Sequence, residues 1–347
     1  MRVLLVETTQ YYPSSPLLLD GLKELAAERR HRYAFFDEAL FLRPLSHSLM
    51  HKVAYRVLGR RPLTYWSLNR SLVRYAQCIR PNVVVVAKGA YLAPETLVRI
   101  KHATGAILVN YATDDPFNAA VNTADQVAAI PLYDVYACPR RAIMDDVTRV
   151  GCATVVYAPF GYQPAVHFQE EPRTQAEKDR FCSDVVFAGG CDKDRVPYFE
   201  LLLRAIPGLK LHLYGGYWER YPVLRPYHRG FAIGRDFRLA LHGSKIALNL
   251  VRRANRDGHT MRTFEVTACG AFMLAERTPE HLDLYKDGLE AGYFDSPDEL
   301  VDKVRYYLAH EQERKNIAEA GRRRVVAGGH TYKDRLIQML QAAGMSV

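Results

Sequence analysis

The stretch Lys245–Leu274, KIALNLVRRANRDGHTMRTFEVTACGAFML, decides how the chain is read. Ile246 to Leu250 is a continuous apolar run, as expected of a strand buried on both faces. Arg252 to Thr260 is polar and predicts a loop, Arg262 to Cys269 predicts a helix, and Gly270 with Ala271 to Leu274 predicts a stop and a second buried strand. A strand–loop–helix unit places the free N–H groups and positive dipole end of the helix at the strand's carboxyl edge, where an anion is favoured. The loop adds Arg252, Arg253, Arg256, His259 and Arg262, and one carboxylate, Glu265, falls in the first helical turn. Cations for a diphosphate and one acid for ribose hydroxyls are what a nucleoside diphosphate calls for.

Working outward, the preceding segments repeat the pattern. Asp184 to Ala188 predicts a strand ending in Gly189-Gly190, then Lys193 and Arg195, then a helix over 196–205. The two glycines let the backbone approach a phosphate, and the two cations stand where they would neutralise it. Leu209 to Tyr214 predicts the next strand, ending in Gly215-Gly216-Tyr217-Trp218; these aromatics either hold a nucleobase or form a turn with core rings. Residues 225–238 are expected to run around the base, and 169–180 to form a charged surface excursion. Beyond the opening stretch, a short last strand (292–294) and helices over 297–310, 311–326 and 330–343 are expected, the last with Leu336, Ile337, Met339 and Leu340 on its apolar face.

The amino-terminal half also alternates strand and helix. Residues 2–6, a helix over 16–29 and a strand over 33–36 form a β-α-β opening without a G-x-G-x-x-G fingerprint. The valine run of 81–86 predicts a central parallel strand, followed by Lys88-Gly89. A strand over 106–110 leads into Tyr111-Ala-Thr-Asp-Asp-Pro-Phe-Asn118 at a carboxyl edge, where ligands of open α/β sheets collect. Asp114 and Asp115 either orient an acceptor or take its proton, or cap the following turn. Pro159-Phe-Gly-Tyr-Gln-Pro164 has linker chemistry. The fold class predicted is α/β, with two Rossmann-like domains built on parallel sheets.

Composition narrows the function. The chain has 347 residues, 48% of them hydrophobic, enough for two cores. No apolar run approaches the roughly 18 residues that span a bilayer, and MRVLLVETTQ reads as a first strand rather than a signal peptide. Six scattered cysteines include no C-x-x-C pair and suggest neither a disulfide framework nor a zinc site, so a reducing, cytoplasmic setting is expected. The formal net charge is +9, and residues 29–80 alone, with ten arginines and one lysine against Asp37 and Glu38, account for all of it. Residues 44–80 read as a basic helical insertion with Tyr55, Tyr65, Trp66 and Tyr75 among the arginines. It is either a solvated face with packed aromatics, or a surface for an anionic partner such as membrane lipid or a phosphorylated acceptor. Nucleic acid is not the expected partner, because it leaves the arginine–carboxylate pattern unexplained.

The string TMRTFEVTACGAFML (260–274) resembles the donor-site segment of CgeB-like, spore maturation protein-like glycosyltransferases of the GT-B, group 1 kind. The similarity continues through Glu290-Ala-Gly-Tyr-Phe-Asp295, Pro297-Asp-Glu-Leu300, Arg305-Tyr-Tyr-Leu308, Arg314, Ile317-Ala318, Gly321 and His330-Thr-Tyr-Lys-Asp-Arg335. Shorter matches lie at Thr113-Asp-Asp-Pro116, Pro159-Phe-Gly161 and Phe187-Ala-Gly-Gly190.

This resemblance implies an acceptor domain over 1–160, a nucleotide-sugar donor domain over 161–329, sheets facing across a cleft, and a C-terminal helix (330–347) crossing back to the first domain. It implies a transferase moving sugar from a nucleotide-diphosphate sugar to a glycan, lipid, protein or small-molecule acceptor, with retention. The donor-binding residues it implies are Gly189, Gly190, Lys193, Arg195, Gly215, Gly216, His259, Thr260, Arg262, Thr263, Phe264 and Glu265. Glu265 would take the ribose hydroxyls, and Arg262 the diphosphate leaving group. The catalytic candidates are Arg262, Asp114 and Asp257; Asp257 stands eight positions before Glu265, where many related enzymes carry Glu, and otherwise caps the helix. With arginines available to stabilise the leaving group, no metal or other cofactor is expected. Peripheral contact with the inner face of an anionic membrane is compatible with this reading. The alternatives are an epimerase-like enzyme of the same fold and a non-enzymatic basic protein binding membrane or nucleic acid.

Overall fold

Val83–Ala87 is fully buried, and each β-strand in this half of the chain lies parallel to its neighbours. The computed structural model describes residues 1–9, 18–29, 31–42, 55, 57, 59–118, 120, 122–256 and 258–347. They divide into two units: unit 1 comprises Met1–Pro159, Ala254–Arg256 and Tyr332–Val347, and unit 2 comprises Phe160–Arg253 and Asp257–Thr331.

Unit 1 is a six-stranded parallel sheet of β1 (Arg2–Glu7), β2 (Arg32–Asp37), β3 (Val83–Ala87), β4 (Ile107–Tyr111), β5 (Val135–Cys138) and β6 (Val155–Tyr157), in the order β2-β1-β3-β4-β5-β6. The direction of winding reverses between β1 and β3, where Leu4 pairs with Val84. The helix Pro94–Thr104 starts on Pro94 and stops at Gly105, whose φ of 67° lets its N–H reach Lys101 O. The helix Tyr65–Ile79 buries Leu68, Leu72 and Ala76. It also buries Asn69, whose side chain bonds Ala93 N, Thr96 Oγ1, Tyr65 O and Tyr91 O, so the polar group is satisfied.

Within the basic insertion, Tyr65 is buried with its hydroxyl on Asp125, and Tyr75 packs on Phe36. Trp66, by contrast, is 60% exposed. Residues 43–54, and with them most of the first half of that insertion, lie outside the described residues. The last helix, Tyr332–Ala342, packs on the helix Leu19–Arg29 of the same unit and buries Tyr332, Leu336, Met339 and Leu340. The two helices approach so closely that a Cβ on Gly21 would lie 2.7 Å from Lys333 N.

Unit 2 is a five-stranded parallel sheet of β7 (Ser183–Ala188), β8 (Leu211–Tyr214), β9 (Ser244–Asn249), β10 (Met273–Glu276) and β11 (Gly292–Phe294), in the order β11-β10-β9-β7-β8. Here the winding reverses between β7 and β9. The charged excursion expected before β7 contains a helix, Gln175–Phe181. Thr174 and Glu177 form a reciprocal capping box at its start, and Phe181 anchors its end in the core. The expected helix of the opening stretch runs Arg262–Ala268, and Thr263 through Ala268 are all buried. No described helix is long and apolar enough to cross a membrane.

Candidate functional site

In an open parallel sheet, the carboxyl ends of the two strands flanking the reversal leave a crevice into which loops project. In unit 2 these strands are β7 and β9. Arg262 sits at the end of β7: its Nε donates to Ala188 O at 2.7 Å, and its guanidinium lies 4.6 Å from the centre of the Phe237 ring. Its Nη1 pairs with Glu265 Oε2 on the next turn of the same helix. Glu265 is 4% exposed, whereas the Arg262 side chain keeps a third of its surface open. His167, which has no counterpart among the residues picked from sequence, stands behind the acid with Nε2 3.6 Å from Glu265 Oε1. Its Nδ1 accepts from Gln163 N, so the neutral ring carries its proton on Nε2, toward the carboxylate. Burial holds His167 below the usual histidine range, although Glu265 pulls the other way.

The start of this helix is fixed by a buried polar network. Thr260 Oγ1 donates to Asn249 Oδ1 at 2.9 Å and accepts from Arg262 N at 3.1 Å. Thr263 Oγ1 accepts from Asn249 Nδ2 (2.9 Å) and Thr260 N (3.1 Å), which leaves its proton for His281 Nε2 at 2.9 Å. His281 is therefore the Nδ1–H tautomer, and that proton goes to Glu276 O at 2.7 Å. His259 is fully buried, with Nε2 accepting from Phe160 N (3.1 Å) and Nδ1 donating to Glu280 at 2.7 Å. Phe264 is also fully buried and packs edge-on against His259. His259, Thr263 and Phe264 are thus buried and hold the start of the helix in place.

The arginines of the opening stretch do not form one cluster. Arg252 pairs with Asp192 at 2.9 Å, and Arg253 points outward with its side chain 70% exposed. Arg256 belongs to unit 1, where Asp115 takes it in a two-pronged pair (2.6 and 3.1 Å) and Asp146 bonds it at 2.7 Å. Opposite charges on neighbouring elements draw these guanidinium groups apart, and Arg262 is bonded at the end of β7.

Gly189 and Gly190 follow β7, and Gly215 and Gly216 follow β8. A Cβ on Gly215, whose φ is 125°, would run into the Gly189 carbonyl, whereas one on Gly190 would meet nothing nearer than Gly216 O at 3.9 Å. Lys193 is exposed. Arg195, expected from sequence to face a phosphate, is instead 7% exposed and donates to Gly190 O (3.1 Å) and Leu250 O (2.9 Å), joining the ends of β7 and β9. Its planar guanidinium fits two inward carbonyls better than a position in solvent. Trp218 is a core residue: fully buried, edge-on to Phe187 and Phe199, with Nε1 on Gly189 O at 2.9 Å. The exposed rings here are Tyr217 and Phe231, the latter 68% exposed and beside Gly216. Phe231 gave no sequence signal, since an isolated ring in an irregular segment follows no period.

Asp114 lies in unit 1, paired with Lys88 Nζ at 2.7 Å and accepting from Asn255 Nδ2 at 3.0 Å. Burial pushes its carboxyl up, but Lys88, Arg140 and Asn255 outweigh it and hold it below the usual range. Asp115 caps the following turn through Phe117 N at 2.8 Å. Asp257 falls outside the described residues. Among the described residues no group of acids, histidines and cysteines is arranged to hold a metal ion.

Residues 195–341 match the family described as glycosyl transferase-like, less than half of the chain. A search of curated proteins finds no match. Among solved structures, Anabaena HepE in complex with UDP-glucose is similar at 12% identity and a TM-score of 0.64, over 99% of this chain and 98% of that one. A sucrose-phosphate synthase from Thermosynechococcus elongatus gives 11% identity and a TM-score of 0.72, over 99% and 98%. A UDP-N-acetylglucosamine 2-epimerase-like protein from Listeria monocytogenes gives 12% and 0.59, over 99% and 95%. Residues 195–341 thus match a glycosyl transferase-like family, and the two parallel-sheet α/β units of the chain resemble GT-B glycosyltransferase structures.

Proposed function

We propose that the chain is a glycosyltransferase that moves a sugar from a nucleotide-diphosphate sugar to an acceptor hydroxyl, and that it is CgeB-like in subfamily. The observation that carries the reading is the Arg262–Glu265 pair at the carboxyl end of β7, beside the reversal of strand order. The glycosyl transferase-like match over 195–341 includes both residues, and the HepE structure of the same fold is a UDP-glucose complex. On this reading the half-open Arg262 faces the diphosphate. Charge grows on that group as the glycosidic bond breaks, so a fixed guanidinium stabilises the transition state more than the ground state. Glu265 exchanges part of its pairing with Arg262 for the ribose hydroxyls. Phe231 and Tyr217, beside Gly216, offer faces for the base. Asp114, held ionised by Lys88, serves the acceptor side. The proposal includes retention of configuration and independence from divalent ions.

Calorimetric titration with UDP-, GDP- and dTDP-sugars tests this reading. One donor should bind, and Arg262→Ala and Glu265→Ala should each weaken it tenfold or more. No binding by any donor, or unchanged affinity in both variants, overturns it. Anomeric NMR of the product tests retention, and turnover in excess chelator tests metal independence. The epimerase-like neighbour motivates one control: incubation of the donor without acceptor should leave its sugar unchanged.

A further inference from the structure

Three successive carbonyls at the end of β7 each accept a hydrogen bond from a side chain of a different element. Ala188 O takes Arg262 Nε (2.7 Å), Gly189 O takes Trp218 Nε1 (2.9 Å) and Gly190 O takes Arg195 Nη1 (3.1 Å). Trp218 follows Tyr217, whose φ of 75° is one that non-glycine residues rarely adopt, and this turn aims the indole inward. Gly215 then brings the end of β8 against the same Gly189 carbonyl, with no room for a side chain.

The amides of this turn are not all satisfied. Gly189 N donates to Tyr214 O (2.8 Å) and Cys191 N to Gly216 O (2.9 Å), but no described residue accepts from Gly190 N. Gly189 O and Gly190 N belong to one planar trans peptide, so they point in opposite directions. An indole that holds the carbonyl toward the aromatic core thereby turns the N–H away from it, on an exposed glycine with open space around its Cα.

We propose that Trp218 is a positioning residue whose indole N–H, acting through the Gly189–Gly190 peptide, aims the Gly190 N–H at an oxygen of the donor's diphosphate. This rests on the nucleotide-sugar reading above. Trp218 touches no ligand. It fixes beforehand a backbone donor that would otherwise have to be oriented on binding, at an entropic cost.

The test uses the full chain with UDP, GDP and dTDP as probes. Trp218→Phe keeps a ring among Phe187 and Phe199 but removes the N–H. Phe199→Leu loosens the same aromatic cluster without touching the carbonyl. The diphosphate that binds the wild type should bind Trp218→Phe about tenfold more weakly and Phe199→Leu within about twofold, the former being the loss of one hydrogen bond's worth of orientation. Hydrogen exchange over residues 187–193 of the wild type should slow when that nucleotide is added. Equal weakening in both variants, or wild-type affinity in Trp218→Phe, overturns the positioning role while leaving the nucleotide reading intact. So does nucleotide binding that leaves exchange over 187–193 unchanged, a readout that does not depend on either variant folding. A wild type that binds none of the three diphosphates removes the donor reading, and this inference with it.

Discussion

Arg262 and Glu265, one helical turn apart, are paired with each other, and the acid is the buried member while the guanidinium remains partly open. A carboxylate in that position depends on its cation. Arg262→Ala should therefore destabilise unit 2 by about 2–4 kcal/mol in urea unfolding, because it strands a buried charge. Adding Glu265→Gln should return part of the loss. A double variant whose loss is simply the sum of the two single losses would mean that the two side chains are not coupled.

Glu38 predicts a pH dependence. It lies at the end of β2, 4% exposed, with no hydrogen-bond partner for Oε1 among the described residues. Burial raises its carboxyl from 4.5 to about 7, against the pull of Lys88 and with a push from Asp37. Between these values the folded protein holds a proton that the unfolded chain has released, so stability present below pH 4.5 is lost as pH rises through about 7. Glu38→Gln should gain on the wild type across that window, reaching roughly 3 kcal/mol by pH 8. A difference in melting that stays flat from pH 5 to 8 would contradict this.

His281 carries the opposite sign. Full burial lowers its imidazole from 6.5 to about 4, and its ring is committed as the Nδ1–H tautomer between Glu276 O and Thr263 Oγ1. The unfolded chain takes up a proton through this window and the folded one does not. Stability is therefore lost as pH falls from 6.5 towards 4, on the order of 3 kcal/mol. NMR should find this ring neutral at pH 5; a titration midpoint near 6.5 would show that the network is not closed.

Two glycines of unit 1 should respond differently to alanine. Gly21→Ala drives a methyl group to within 2.7 Å of Lys333 N and should lower stability by about 1–3 kcal/mol by parting the first and last helices of the unit. Gly105→Ala meets nothing within 4 Å and bears only the strain of a left-handed φ of 67°, about 1 kcal/mol. Comparable losses at both sites would mean that the two helices part more easily than a 2.7 Å approach implies.

The valine run of β3 and the strand–loop–helix of 245–274 are written in neighbouring residues, because hydrogen bonding within an element and its pattern of burial depend on short separations. The short helix Gln175–Phe181 escaped notice, its capping box hidden in a run of charges. The dispersal of Arg252, Arg253 and Arg256 was not legible either. Adjacent cations suggest a cluster, but Arg253 points outward, and Arg252 and Arg256 pair with acids far off in the chain: Asp192 lies 60 positions from Arg252, and Asp115 and Asp146 lie 141 and 110 from Arg256.

The order of residues along the chain already carries the alternation of buried strands and helices, hence two parallel-sheet α/β units, and sets Arg262 and Glu265 on one face at the start of a helix. The order of the strands, with its reversals at β1/β3 and β7/β9, and the partners that gather there come from the folded arrangement. Arg195 and Trp218 became backbone supports, Asp115 a cap and an anchor for Arg256, and His167 a neighbour of Glu265. The reason is physical: a side chain's role depends on which donors and acceptors lie within about 3 Å of it, and residues far apart in sequence meet at that distance only once the sheets are assembled.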